Sequence, residues 1–308
     1  MESEFLQNKL LACLGGDWPT PPPLNAVVLT CTQKEGYRLE TVSYQAEPGC
    51  HIPALLLVPD QATPHAPAAA VAVWHQHNGQ WHWGKSEPAG LVGDPCQHVG
   101  VALAQAGYVV LCPDAICFED RQSTRLANGD YERFEFLNYV LSGKSLAWKN
   151  ILDMKRAIDY LCSRPEVDSL RIGCFGHSMG ATHCWLVGPW ERRLRCIVAN
   201  CCLPTYRAIH DHALLHCFSN FVPGFYQYGD TPDIAALTAP TPLLMNFGEQ
   251  DVGSPIEEVR AGVRRISDAY RALGVPENFQ CFIEPDTGHT FTEPMRQRTW
   301  DWFAQHLG

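Results

Sequence analysis

The chain has no apolar run long enough to cross a bilayer, no Cys-x-x-Cys pair, no internal repeat, no low-complexity tract and no excess of positive charge. Each absence removes a class of protein. Without a long apolar run there is no transmembrane helix to expect. A net charge of -10 argues against nucleic acid or an anionic membrane as the main partner. The start, Met1-Glu2-Ser3-Glu4-Phe5, lacks a basic region followed by an apolar stretch, so no signal peptide is expected and a cytoplasmic location is. The 14 cysteines are numerous but scattered, and they sit in apolar runs such as Val110-Leu111-Cys112 and Asn200-Cys201-Cys202-Leu203. A chain of this size does not need disulfide staples, so reduced, buried thiols are expected.

The 308 residues, 46% hydrophobic and 18% charged, are enough for one large core or two modest ones. Residues 1–36 read as a helix and a proline-rich extension carrying Pro19, Pro21, Pro22 and Pro23. Tyr37 to Tyr44 alternates and Ile52 to Val58 is apolar, which implies an antiparallel opening. Buried strands are expected at 68–74, 108–112, 171–175, 196–200, 242–247 and 279–284, with helices at 93–106, 145–162, 256–273 and 295–307. Strand and helix alternate from about residue 68 onward. That pattern predicts an α/β fold: a doubly wound, mostly parallel sheet over 37–308, with catalytic groups on loops at the carboxyl ends of its strands. Residues 203–236, rich in His, Pro, Phe and Tyr, break the rhythm and are expected to form a short cap. The 1–24 segment could pack on the sheet edge or on a second subunit, which leaves a homo-oligomer open.

The most informative stretch is Arg171-Ile172-Gly173-Cys174-Phe175-Gly176-His177-Ser178-Met179-Gly180. An apolar strand enters Gly-x-Ser-x-Gly and a helix-compatible segment leaves it. Such a turn exposes the serine hydroxyl and aims a helix N-terminus at it. The five residues alone occur by chance in about one chain of this size in ten, so the surroundings matter more. A serine needs a base to take its proton, and the base needs an acid to orient it. Past strand 242–247 comes Gly248-Glu249-Gln250-Asp251, and past strand 279–284 comes Asp286-Thr287-Gly288-His289. Ser178, Asp251 and His289 therefore stand in the order nucleophile, acid, base, each one short loop beyond a strand. Glu249 and Asp286 compete with Asp251 for the acid.

In these motifs the chain resembles the α/β-hydrolase superfamily. The extended N-terminal part, with Pro113-Asp114 and Phe118-Glu119-Asp120-Arg121, looks like its dienelactone-hydrolase and acetyl-xylan-esterase branch. One departure is that dienelactone hydrolases carry cysteine at the nucleophile, where this chain has Ser178, so lactone specificity does not carry over. The resemblance implies an oxyanion hole made by the N–H of Met179 and one from the loop Trp74-His75-Gln76-His77-Asn78-Gly79. Aligning His75 with the first His of the family's His-Gly-x loop nominates His77, with Gln76 as rival, although Gln76 stands where glycine is usual.

Two clusters invite a metal: His75, His77 and His82 in the first loop, and His210, Asp211, His212 and His216 in the insertion. Neither has the usual ligand spacing, and the triad needs no metal, so no metal and no cofactor is expected. His75, Trp81, His177 and Phe225 are expected to line the substrate pocket, and Arg121 to pin its loop by pairing with a carboxylate. Together these residues predict a serine esterase for a small-to-medium ester. Amide, peptide or thioester hydrolysis and acyl transfer use the same triad, and a binding protein could retain the fold.

Overall fold

The computed structural model describes residues 2–308. A first helix, α1 (Glu2–Leu14), is followed by the strands β1 (Val27–Lys34), β2 (Tyr37–Glu47), β3 (Cys50–Pro59) and β4 (Ala68–Trp74). Then come α2 (Val99–Gln105), β5 (Val109–Pro113), α3 (Asn128–Leu141), α4 (Leu146–Ser163), β6 (Val167–His177), α5 (Met179–Val187) and β7 (Leu194–Asn200). The chain ends through α6 (Tyr206–Asp211), α7 (Thr231–Ala236), β8 (Leu243–Gly248), α8 (Ile256–Ala272), β9 (Phe279–Glu284) and α9 (Glu293–Leu307).

The nine strands form one sheet in the order β1-β2-β3-β5-β4-β6-β7-β8-β9. The first three pair antiparallel, as does β3 with β5, and every later pair is parallel. The expected doubly wound sheet is therefore present, with an antiparallel edge. Period-two alternation explains how both faces become core. In β4, Ala70, Ala72 and Trp74 point to one side with α1, α4, α5 and α8, while Ala69, Val71 and Val73 point to the other with α2 and α9. Local signals set the helix starts. Ser145 caps α4 by accepting the N–H of Trp148, and Thr292 caps α9 by accepting that of Met295. Among the described residues, no helix is long and apolar enough to cross a membrane.

Several details differ from the expectation. β1 was hidden because all eight of its residues are exposed, so no alternation marks it. α3 was hidden because its outward positions include Phe134, Leu137 and Leu141, which blurs any amphipathic pattern. The helix expected at 93–106 is a short 3-10 turn, Pro95–Gln97, and then α2. α1 packs on its own chain, with Leu10 and Leu14 fully buried and Gln7 donating to the Pro189 carbonyl. The insertion splits in two. Ile234, Ala235 and Phe225 enter the main core, whereas its earlier part runs past the carboxyl ends of the strands.

Candidate active site

Ser178 links β6 to α5 with φ 57° and ψ -119°. A non-glycine residue holds such a conformation only where its surroundings enforce it. The enforcement comes from close backbone approach on both sides. A Cβ on Gly176 would lie 2.0 Å from the Gly180 carbonyl oxygen, and one on Gly180 would lie 2.1 Å from that of Trp74. Only glycine fits at either place, which is why the serine sits between two of them. The Ser178 N–H donates to the Asn200 carbonyl at 2.9 Å, and the Ser178 carbonyl accepts from Ala181 at 2.9 Å.

The same device brings the acid and base loops together. A Cβ on Gly248 would meet the Gly288 carbonyl oxygen at 2.1 Å, and the Gln250 N–H donates to the Thr287 carbonyl at 2.7 Å. Asp251 is buried at 4% exposure; its Oδ2 lies 2.7 Å from His289 Nδ1, and its Oδ1 accepts the Gly253 N–H at 2.9 Å. Against a carboxylate Nδ1 carries the proton, leaving Nε2 of the half-exposed His289 free to accept one. The rival acids are engaged elsewhere. Glu249 pairs with Arg260 at 2.7 Å, and Asp286 is exposed and accepts from Gln250 at 3.2 Å.

His177, beside Ser178, packs its ring 5.0 Å from that of His289. Burial holds His177 well below the usual histidine range, so it is neutral, and its Nδ1 accepts from Asn200 Nδ2 at 2.7 Å. The same Asn200 amide reaches the Thr290 carbonyl at 3.3 Å. Asn200, fully buried at the end of β7, thus ties the nucleophile turn to the loop that carries His289. A polar residue closing the apolar run 196–199 was the available sequence signal for it.

In the loop after β4, His75 donates from Nδ1 to the Gln76 carbonyl at 2.8 Å and accepts the Ala115 N–H at Nε2 at 3.0 Å. Burial lowers its pKa to about 4. Gln76 donates to both carboxylate oxygens of Glu87 at 3.0 Å. His77 Nε2 and Trp81 Nε1 both donate to Glu132 Oε2, at 2.9 and 2.8 Å, and His77 Nδ1 accepts the Gly79 N–H at 3.0 Å. Glu132, buried on α3, carried no motif and went unseen in the sequence. The backbone N–H groups of Gln76, His77 and Met179 donate to no other backbone carbonyl.

Three of the four residues expected to line the pocket, Phe225, His177 and His75, are buried. Phe225 is fully buried in the main core, and His177 is 3% exposed and packed between Asn200 and His289; neither presents a surface to a substrate. His75 is likewise interior, lining a small cavity with Trp74, Asp114, Asp153 and His183. Trp81 remains half-buried beside Met179 and Phe118. Arg121 pairs with Asp153 at 2.8 Å and donates to the Asp114 carbonyl at 3.0 Å, pinning its loop. All 14 cysteines are free, and burial pushes Cys201 and Cys202 up to about 12.

Among the described residues, neither histidine cluster brings three ligand-type side chains together. Among the described residues one set of three ligand-type side chains converges, Asp114, Glu119 and Asp120. Its centre holds the Lys85 ammonium, 2.9, 2.6 and 2.8 Å from the three carboxylates. Burial opposes the charge on Lys85, but the carboxylates outweigh it and hold the ammonium above the ordinary lysine range. Burial pushes the Asp114 carboxyl up to about 7, against the pull of the Lys85 ammonium and of the N–H groups of Lys85 and Asp120 directed at it.

With this geometry described, comparison with known proteins gives the assignment. A profile of the Abhydrolase family matches residues 18–301. The chain belongs to the Abhydrolase family. YtaP of Bacillus subtilis (strain 168), whose name assigns it only to the hydrolases, is 28% identical over 300 residues, covering 94% of this chain and 95% of its own. A glucuronoyl esterase from Solibacter usitatus superposes with a TM-score of 0.73 at 19% identity, over 99% of this chain and 92% of that one. An acetyl xylan esterase from Paenibacillus sp. R4 gives 0.68 at 18% identity, over 99% and 94%. The structural likenesses establish the α/β-hydrolase fold that the family shares.

Proposed function

We propose that this Abhydrolase family member is a serine carboxylic-ester hydrolase for a small-to-medium ester. The observation that carries the reading is the buried Asp251 carboxylate 2.7 Å from His289 Nδ1, with the His289 ring 5.0 Å from that of His177, the residue before a serine held at φ 57° on a strand-to-helix turn. Ser178 Oγ attacks the ester carbonyl and gives its proton to His289 Nε2. Asp251 keeps the ring in the needed tautomer and stabilises the imidazolium. The N–H of Met179, at the start of α5, and that of His77 or Gln76 stabilise the tetrahedral oxyanion. His289 then protonates the departing alkoxide, leaving an acyl group on Ser178. Water, deprotonated by His289, releases the acid and restores the serine. None of these steps requires a cofactor. Glucuronoyl and acetyl xylan esterases share the fold, which makes short acyl esters of carbohydrates the first natural class to try.

The test is release of p-nitrophenol from acetate, butyrate and octanoate esters by the wild type and by Ser178→Ala. Turnover that falls in the variant to the level of background hydrolysis supports the reading, and the chain-length profile sizes the acyl site. Equal turnover by both proteins would refute it.

A further inference from the structure

The histidines of the insertion were candidates for a metal, and two of the three have no such environment: His210 and His212 are exposed. His216 differs. Its Nε2 lies 2.7 Å from the Gly253 carbonyl oxygen, so Nε2 carries the proton and donates it. Its Nδ1, left as the acceptor, faces Asn220 Nδ2 at 3.2 Å. Asn220 is fully buried, and its carbonyl oxygen accepts from Thr182 Oγ1 at 2.5 Å. Thr182 lies in α5, the helix that starts at Ser178's neighbour. On the other side Gly253 donates its N–H to Asp251 Oδ1 at 2.9 Å. A continuous line of hydrogen bonds thus runs from α5 through Asn220 and His216 to Gly253, Asp251 and His289.

We propose that His216 is a positioning residue that anchors the acid loop, so that the insertion holds Asp251 against His289. This rests on the esterase reading above. Gly253 is suited to be held this way. A Cβ there would lie 3.3 Å from Asp251 Oδ1, so no side chain of its own braces the loop, and the carbonyl bond to His216 does so instead. The charged and titratable groups that bear on His216 are Asp251 and His289; desolvation lowers its pKa, which keeps Nδ1 free to accept from Asn220. Each bond in the line has one donor and one acceptor; truncation of His216 breaks it at two points, whereas protonation breaks it only at Asn220, because Nε2–H still donates to Gly253.

The consequence is specific. Truncating His216 frees Gly253, and a carboxylate displaced by a fraction of an ångström no longer meets Nδ1 squarely, which lowers kcat by about tenfold to a hundredfold. Substrate binding is not touched, so KM stays within about twofold. The imidazolium loses part of its partner, so the acidic limb of the kcat/KM profile moves to lower pH. Glutamine places an N–H near the Nε2 position, so His216→Gln retains the bond to Gly253 and recovers most of the rate.

The experiment compares wild type, His216→Ala and His216→Gln for kcat, KM, pH profile and thermal midpoint on p-nitrophenyl acetate. It adds the far-downfield proton signal of His289 Nδ1–H, assigned by its loss in Asp251→Asn. That signal needs no substrate, so it reports on His216 even if the ester is the wrong one and the wild type is inactive. A signal weakened in the alanine variant and restored in the glutamine variant, with kcat following it where activity is present, supports the proposal. A folded His216→Ala with an unchanged signal, or with kcat within about twofold of wild type, overturns it, as does a glutamine variant as impaired as alanine.

Discussion

Two buried charge clusters lie on loops at the same end of the sheet, and they are finished differently. Around Lys85, three carboxylates from the loop after β5 close on one ammonium, and the N–H groups of Gly84, Lys85 and Ser86 also donate to those carboxylates. Asp114 and Glu119 are enclosed there, and only Asp120 faces solvent. Around Asp251 the carboxylate is equally buried, but its partner is a histidine with one nitrogen engaged and the other side of the ring part-exposed. The first arrangement resembles a structural clamp in which each charge is satisfied within the protein. In the second, His289 has Nδ1 engaged, and its ring packs 5.0 Å from that of His177, the neighbour of Ser178 with its strained backbone. A saturated cluster stabilises a loop; an unsaturated one can do chemistry.

Substitutions can break this contrast at either end. Ser178→Ala removes the proposed nucleophile and is expected to lower ester turnover by about 10⁴-fold to 10⁶-fold, measured as kcat on p-nitrophenyl acetate, with the fold intact by circular dichroism. Asp251→Asn supplies the wrong hydrogen-bond partner to Nδ1 and should cost about 10³-fold to 10⁴-fold in kcat, with little change in thermal midpoint. Lys85→Met is the converse case. It strands Asp114 and Glu119 without their cation and should lower unfolding stability in urea by about 3–5 kcal/mol, while kcat per folded molecule changes by only a few-fold. If Lys85→Met instead abolished turnover in fully folded protein, the division between clamp and site would be wrong.

Acid sharpens the same contrast. Burial lowers the pKa of His75 to about 4 and of His183 to about 3, and holds His177 well below its usual range. Depressed folded-state values mean that the unfolded chain binds these protons more tightly. The stability they contribute is therefore complete above pH 6.5 and is lost as pH falls toward the folded values. Three such groups should remove about 3 kcal/mol between pH 6.5 and 5.5, seen as a falling urea midpoint, and His183→Gln should cut that loss by about a third. The smallest effect concerns strain. Ser178→Gly relieves the positive φ and should raise stability by about 1 kcal/mol in the same assay while abolishing turnover.

The parts of the molecule legible in the sequence were those in which one residue pattern has one physical use. The apolar run 68–74 is the buried strand β4 residue for residue, because continuous apolar segments of that length suit a covered parallel sheet; 279–284 is β9, but it was expected to be buried and instead forms the sheet edge, where none of its residues is fully covered. Gly176 and Gly180 marked the close backbone approaches on either side of Ser178. β1 and α3 were not legible, because neither segregates its apolar residues onto a buried face. The supporting residues were the hardest to see. Glu132 meets His77 from 55 positions away, His216 meets Gly253 from 37, and Lys85 finds Glu119 from 34. Such pairs leave no periodicity and no motif in a single sequence; only the packing of loops against one another creates them. The burial of Phe225 was hidden for a related reason. Phe225 has the composition of a cap-lining aromatic, yet the turn that bears it folds into the core.

The most direct test of the central claim is labelling of the native protein by a fluorophosphonate, with the modified peptide mapped by mass spectrometry. The account predicts one equivalent of label on Ser178, and slow or absent labelling in His289→Ala, because the reaction requires the hydroxyl to be activated by that base. Failure of the folded wild type to react, or label carried by any other residue, would contradict it.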